Sequence, residues 1–110
     1  MNEIWRLFPK IFDEKIKEKD TILIDIRTPE EKVYYWYIEE TDKYIDMYSK
    51  GFQEEIDRLD KSKKYLIYCF HWNRTQVLLW YMKANDFKYV YDLIWWIELW
   101  ENHWFELKKD

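Results

Sequence analysis

The chain has 110 residues, a net charge of −4 and a single cysteine. This length suffices for one hydrophobic core and is too short for two, so we expect one domain over residues 1–110. The acidic balance argues against nucleic acid or an anionic membrane as the main partner, and a lone cysteine, unable to form an internal disulfide, favours the reducing cytoplasm.

Strands and helices alternate in the first third of the chain. Residues Pro9–Lys19 form an amphipathic pattern that predicts a helix, with Pro9 well placed in its first turn. The apolar run Thr21–Ile26 predicts a central parallel strand. Thr28 and Glu31, three residues apart, form a capping box that predicts the start of a short helical turn.

The same alternation continues to the end of the chain. Residues 33–38 are dense in aromatic side chains and are assigned to no element. Strands are predicted over Lys43–Met47, Tyr65–Cys69 and Tyr89–Leu93. Helices are predicted over Phe52–Leu59 and Thr75–Lys83, and a closing helix is predicted to end at about Asn102. This order predicts a mostly parallel sheet covered on both faces, with Cys69 at its carboxyl edge, the usual ligand side.

The loop that begins at Cys69 carries the most chemical information. In such a place, between a strand end and a helix start, the N–H groups of the loop and of the next helix can converge on one atom, and the helix dipole adds positive potential. Such surroundings lower the pKa of a thiol and favour the nucleophilic thiolate. Arg74 adds a fixed charge that can hold an anionic substrate. The alternative is that Cys69 is simply a small buried hydrophobic residue.

Three segments together resemble the rhodanese-like sulfurtransferases. They are the loop from Cys69 to Thr75, the segment Leu23–Glu31, which is similar to the family pattern L-I-D-V-R-x-P-x-E, and Lys88–Leu93 followed by Ile97–Trp100. They span about residues 20–105 in the family's order. The resemblance implies an α/β, three-layer rhodanese-like fold with a mostly parallel five-stranded sheet and helices on both faces.

The resemblance also implies an activity. Cys69 would attack a sulfane donor such as thiosulfate and carry the sulfur to a thiol or protein acceptor as a persulfide, without a cofactor. The residues expected to bind the transferred sulfur are Phe70, His71, Trp72, Asn73, Arg74 and Thr75. Asp25 and Arg27 lie at a strand end, which favours a structural ion pair beneath the loop over a catalytic role. Two histidines and one cysteine show no spacing typical of a metal site.

Two other functions remain open at this stage. A cysteine phosphatase has five residues between its cysteine and arginine, whereas four separate Cys69 and Arg74, and the smaller loop suits one sulfur atom better. A non-catalytic rhodanese-like module that binds or regulates a partner is the second alternative.

The chain contains one glycine and eight tryptophans, whereas average usage predicts about eight glycines. Five tryptophans stand where the family usually has glycine, namely Trp36, Trp72, Trp95, Trp96 and Trp104. Either the chain is unusually aromatic, or these positions are UGA codons that the organism reads as glycine. A genuine Trp72 predicts weak activity or none, because its bulk would displace the loop amides.

Overall fold

The structure, a computed structural model, describes residues 3–34, 37–69, 72–93 and 107–108. The helices α1 to α4 are Pro9–Ile16, Pro29–Tyr34, Phe52–Asp57 and Trp72–Ala84. The strands β1 to β7 are Glu3–Leu7, Thr21–Asp25, Tyr37–Ile38, Lys43–Tyr44, Lys64–Tyr68, Tyr89–Leu93 and Leu107–Lys108. No helix within these ranges is long and apolar enough to cross a membrane.

Five strands form one parallel sheet in the order β1-β6-β5-β2-β4. The strands β3 and β7 pair separately as a short antiparallel ribbon. Parallel strands require crossover connections, and these are supplied by the helices between them. The predicted α/β fold with a five-stranded parallel sheet is therefore confirmed.

Side chains alternate between the two faces of the sheet and build a core on each. On β5, Tyr65 and Ile67 pack with α3 and α4, and Cys69 continues this face beyond the strand end. Leu66 and Tyr68 point the other way and pack with Phe12 of α1. Helices thus cover both faces, which leaves the strand ends as the place for polar chemistry.

The central strands match their predicted bounds to within one residue, and β6 matches them fully. Helix α1 ends at Ile16 instead of Lys19, and α4 begins at Trp72 instead of Thr75. The predicted strand Lys43–Met47 pairs as a strand only over Lys43–Tyr44. The closing helix predicted to end near Asn102 lies outside the described residues.

The sequence prediction contained no strand before α1, yet β1 pairs in parallel with β6 over five residues. The segment Glu-Ile-Trp-Arg-Leu gives only a weak form of the period-two signal of a strand, because Ile4 and Trp5 are both apolar and only the exposure alternates, from Glu3 to Arg6. Five residues are few for that signal, and the pairing depends on a strand more than 80 positions later.

Two aspartates occupy backbone conformations that usually belong to glycine. Asp20 and Asp86 both have a φ of 67°, in the left-handed region. Asp86 follows the end of α4, where the N–H of Phe87 donates to the carbonyl of Met82 at 3.1 Å. This is the usual helix ending with a left-handed residue, built here without glycine.

Replacing Asp86 by glycine is therefore expected to stabilise the protein. Asp86→Gly should raise the free energy of unfolding by about 0.5 kcal/mol, because relief of left-handed strain outweighs the added entropy of the unfolded chain. Urea unfolding measures the change. Lys83→Gly, an exposed position within the same helix, is the matched control and should lose about 1 kcal/mol. A loss of stability in Asp86→Gly would contradict the expectation.

Candidate functional site

Cys69 lies directly after β5, at the carboxyl edge of the sheet, and its side chain is 3% exposed. Helix α4 begins three residues later, so the cysteine stands between a strand end and a helix start, as predicted. Its near-complete burial is compatible with a sulfur gripped by a loop and also with a small core residue. The predicted site residues Phe70 and His71 lie outside the described residues.

Trp72 and Asn73 open α4, and Arg74 follows in its first turn. Arg74 donates from Nη1 to Oε1 of Glu31 at 2.6 Å and from Nη2 to Oε2 at 2.9 Å. Its guanidinium carbon also lies 5.2 Å from the centre of the Tyr48 ring. Arg74 is thus held in a two-pronged ion pair that the sequence pattern did not indicate.

Glu31 is itself fixed by the predicted capping box, which the structure confirms. Its Oε1 accepts from the N–H of Thr28 at 3.0 Å and from Thr28 Oγ1 at 3.2 Å. In return, the N–H of Glu31 donates to Thr28 Oγ1 at 3.2 Å. Glu31 therefore joins the start of α2 to the start of α4.

Glu31 and Arg74 each shift the pKa of the other. Burial raises the pKa of Glu31, but the hydrogen bonds from Arg74 and Thr28 outweigh it, and the net pKa is lowered. The hydrogen bond to Glu31 raises the pKa of Arg74, burial opposes this, and the negative charge of Glu31 adds to the rise. The two opposite charges therefore stabilise each other at neutral pH.

Asp25 and Arg27 form a buried pair at the end of β2, the strand next to β5. Arg27 donates from Nη2 to Oδ2 of Asp25 at 2.8 Å and from its backbone N–H to Oδ1 at 2.8 Å. The two residues are 1% and 3% exposed, and the guanidinium lies 5.6 Å from the centre of the Tyr68 ring. The ion pair expected from the sequence is present; its support of the loop stays a prediction.

A second buried carboxylate, Asp92 of β6, was not singled out by the sequence pattern. Its Oδ2 accepts from Oγ1 of Thr75 at 2.8 Å and from Nη2 of Arg6 at 2.9 Å, and Arg6 Nε adds a bond of 3.1 Å to Oδ1. Asp92 and Thr75 are both 0% exposed. An aspartate inside an apolar strand demands such partners, and that is the signal that could have found it.

Open cavities lie at both edges of the sheet. One of about 220 Å³ lies beside the Asp25–Arg27 pair and is also lined by Thr28, Tyr44 and Asp46. A larger one of about 610 Å³ lies at the opposite edge, where the amino ends of β2, β5 and β6 meet. Within the described ranges, no group of three or more His, Cys, Asp or Glu side chains could hold a metal ion.

Comparison with known proteins finds a similar sequence and several similar structures. The chain is 28% identical over 90 residues to the thiosulfate sulfurtransferase GlpE of Coxiella burnetii, across 82% of this chain and 80% of that protein. This similarity, together with that to rhodanese-related solved structures, supports the resemblance to the rhodanese-like family. No family model matches it.

Solved structures show the rhodanese-like fold independently. A rhodanese-related protein from Thermoplasma volcanium superposes with a TM-score of 0.79 at 20% identity, covering 96% of this chain and 98% of that one. The polysulfide-sulfur transferase homodimer of Wolinella succinogenes gives a TM-score of 0.77 at 19% identity, covering 97% and 80%. At these identities the rhodanese-like likeness concerns the fold alone.

The Glu31–Arg74 pair generates a pH-dependent prediction. Glu31→Gln should lower the free energy of unfolding by about 1 kcal/mol near neutral pH, because it removes one charge of a largely buried pair. The folded-state pKa of Glu31 is lowered, so its contribution is present above its ordinary value of 4.5 and is lost as the pH falls through the folded-state pKa. The difference between the wild type and Glu31→Gln should therefore shrink in acid.

Urea unfolding at pH 7 and at pH 3 measures this difference. Glu30→Gln is the matched control, since Glu30 is exposed in the same turn of α2. A Glu31→Gln deficit equal at both pH values, or equal to that of Glu30→Gln, would count against the ion pair as its source.

Proposed function

We propose that the chain is a rhodanese-type sulfurtransferase that carries sulfane sulfur on Cys69 as a persulfide. The supporting observation is the position of its single cysteine, between the end of β5 and the start of α4, with Arg74 in the first turn of that helix. The 28% identity with a thiosulfate sulfurtransferase supports the same reaction class.

In the first step the Cys69 thiolate attacks the outer sulfur of thiosulfate. A new sulfur–sulfur bond forms, the bond within thiosulfate breaks, and its electron pair leaves with sulfite. The charge carried by thiolate and thiosulfate is then shared between the persulfide anion and sulfite. This is covalent nucleophilic catalysis, and it needs no cofactor.

In the second step a nucleophilic acceptor, such as cyanide or a thiol of a small molecule or protein, attacks the outer sulfur of the persulfide. The electron pair of the broken bond returns to Cys69 and restores the thiolate. We propose that the amides of residues 70–75 stabilise the anionic sulfur between the steps, as preorganised donors stabilise the oxyanion in acyl-transfer sites. The lone cysteine fits a reducing compartment, and we place the reaction in the cytoplasm.

Arg74 would hold the anionic end of the donor. Both of its terminal nitrogens donate to Glu31, so only its remaining N–H groups are available to a ligand. The ion pair also fixes the direction of the guanidinium before a substrate arrives. Such preorganisation lowers the ordering cost of binding.

The 3% exposure of Cys69 also suits the second candidate, a rhodanese-like module that binds or regulates a partner without catalysis. Treatment with thiosulfate followed by mass spectrometry separates the two functions. A sulfurtransferase should gain the mass of one sulfur atom on Cys69 and lose it again on addition of cyanide. Cys69→Ser is the control and should gain none. A folded wild-type chain that acquires no sulfur would support the binding module.

Trp72 offers a further test of the loop. If tryptophan is the genuine residue, Trp72→Gly should raise the rate of sulfur transfer at least about tenfold, because loop amides regain their positions. Trp80→Gly makes the same exchange in α4 at an exposed position and should bring no gain. An unchanged rate in Trp72→Gly would show that the indole does not obstruct the loop. UGG codons at positions 36, 72, 95, 96 and 104 would end the recoding hypothesis.

A further inference from the structure

Asp92 is a carboxylate with no exposed surface in the middle layer of the molecule. Strand alternation places its side chain on the same face of β6 as Val90, and Val90 belongs to the core cluster that includes Cys69. Asp92 is therefore buried on the same face of the sheet as the Cys69 side chain.

The hydrogen bond from Thr75 connects Asp92 to the cysteine loop. Thr75 follows Arg74 in the first turn of α4, and this turn closes the loop that begins at Cys69. At 2.8 Å, the bond between Thr75 Oγ1 and Asp92 Oδ2 fastens the helix start to β6. A carboxylate accepts such a bond more strongly than a neutral group does.

The negative charge of Asp92 would disfavour a nearby thiolate. A like charge disfavours ionisation, so an isolated Asp92 would raise the pKa of the Cys69 thiol. Arg6 of β1 faces the same carboxylate with bonds of 2.9 and 3.1 Å and cancels its charge. The pair spans 86 positions of sequence and uses a fully buried acid.

The other charged groups that the structure describes at this edge have hydrogen-bond or ion-pair partners of their own. Asp25 pairs with Arg27 at the end of β2, and Glu31 of α2 pairs with Arg74 of α4. Asp46, in the segment after β4, accepts from the N–H of Tyr48. Tyr68 points to the opposite face of the sheet, where its hydroxyl contacts Thr41 and Ile38. Within the described residues, three arginines in separate parts of the fold therefore pair with carboxylates at this edge.

We propose that Asp92 is a positioning residue for Cys69, which it serves by anchoring the first turn of α4 through Thr75, and that Arg6 is the charge partner that keeps this anchor from opposing the thiolate. The inference rests on the proposed function for its purpose, but it concerns the ionisation of Cys69 and can be tested without sulfur transfer.

The test is the pH titration of Cys69, followed by the ¹³Cβ chemical shift of labelled cysteine. The chain holds one cysteine, so one signal reports the site. Arg6→Met should raise the thiol pKa by about half a unit to one unit, because it leaves the aspartate charge uncompensated. Asp92→Asn should lower it by a similar amount, because Arg6 stays charged while the side-chain oxygen still accepts from Thr75. The double variant should return close to the wild type.

Arg6→Lys is the matched control, since it keeps the charge, and it should leave the thiol pKa nearly unchanged. A purely structural role predicts that both single variants loosen the loop and shift the pKa in the same direction, and that result would overturn the proposal. Should Arg6→Met fail to fold, Asp92→Asn alone decides, because a raised or unchanged pKa contradicts the charge pairing. Opposite shifts in a chain that forms no persulfide would leave the pairing intact and refute the proposed function instead.

Discussion

The central constraint on this molecule is that a charge can be buried at the end of an apolar strand only beside an opposite charge. The strands β2, β5 and β6 are covered by helices on both faces, and their interiors carry almost nothing but apolar side chains. Polar chemistry is confined to the strand ends. There the cost of removing a carboxylate from water is met by the two-pronged hydrogen bonds of arginine.

Two of the three arginine pairs at this edge connect different parts of the fold, and the third is local. Asp25 and Arg27 are two residues apart and set the direction of the chain as it leaves β2. Glu31 and Arg74 join α2 to α4, and Asp92 joins β6 to β1 and to α4. Cys69 and the start of α4 thus lie among elements whose relative positions are fixed by charge as well as by packing.

Local signals were sufficient for much of this arrangement. The three central strands were predicted because each is a compact apolar run, and the Thr28–Glu31 capping box because its partners are three residues apart. Asp25 and Arg27 were recognised as a pair for the same reason. Contacts between elements were not predictable in this way. The partner of Arg74 is 43 positions away, and that of Asp92 is 86, so both depend on how helices and strands are placed in three dimensions.

The start of α4 shows a second limit of sequence prediction, which concerns where a helix begins. Trp72 and Asn73 gave no helical signal, and the helix was predicted to begin only at Thr75, yet both belong to its first turn. Sequence periodicity fixes the interior of a helix better than its ends. The error matters here because the predicted binding loop and the helix start share Trp72, Asn73, Arg74 and Thr75.

The contact between Arg6 and Asp92 has a consequence for how the chain assembles. It links β1 to β6, which are the first and last strands of the parallel sheet along the chain. These two distant segments must come together before the contact can form. Closing so long a loop is entropically slow, and contacts of this range belong to the late stages of folding. A nascent chain would thus expose an unmatched carboxylate in β6 until its opening strand docks.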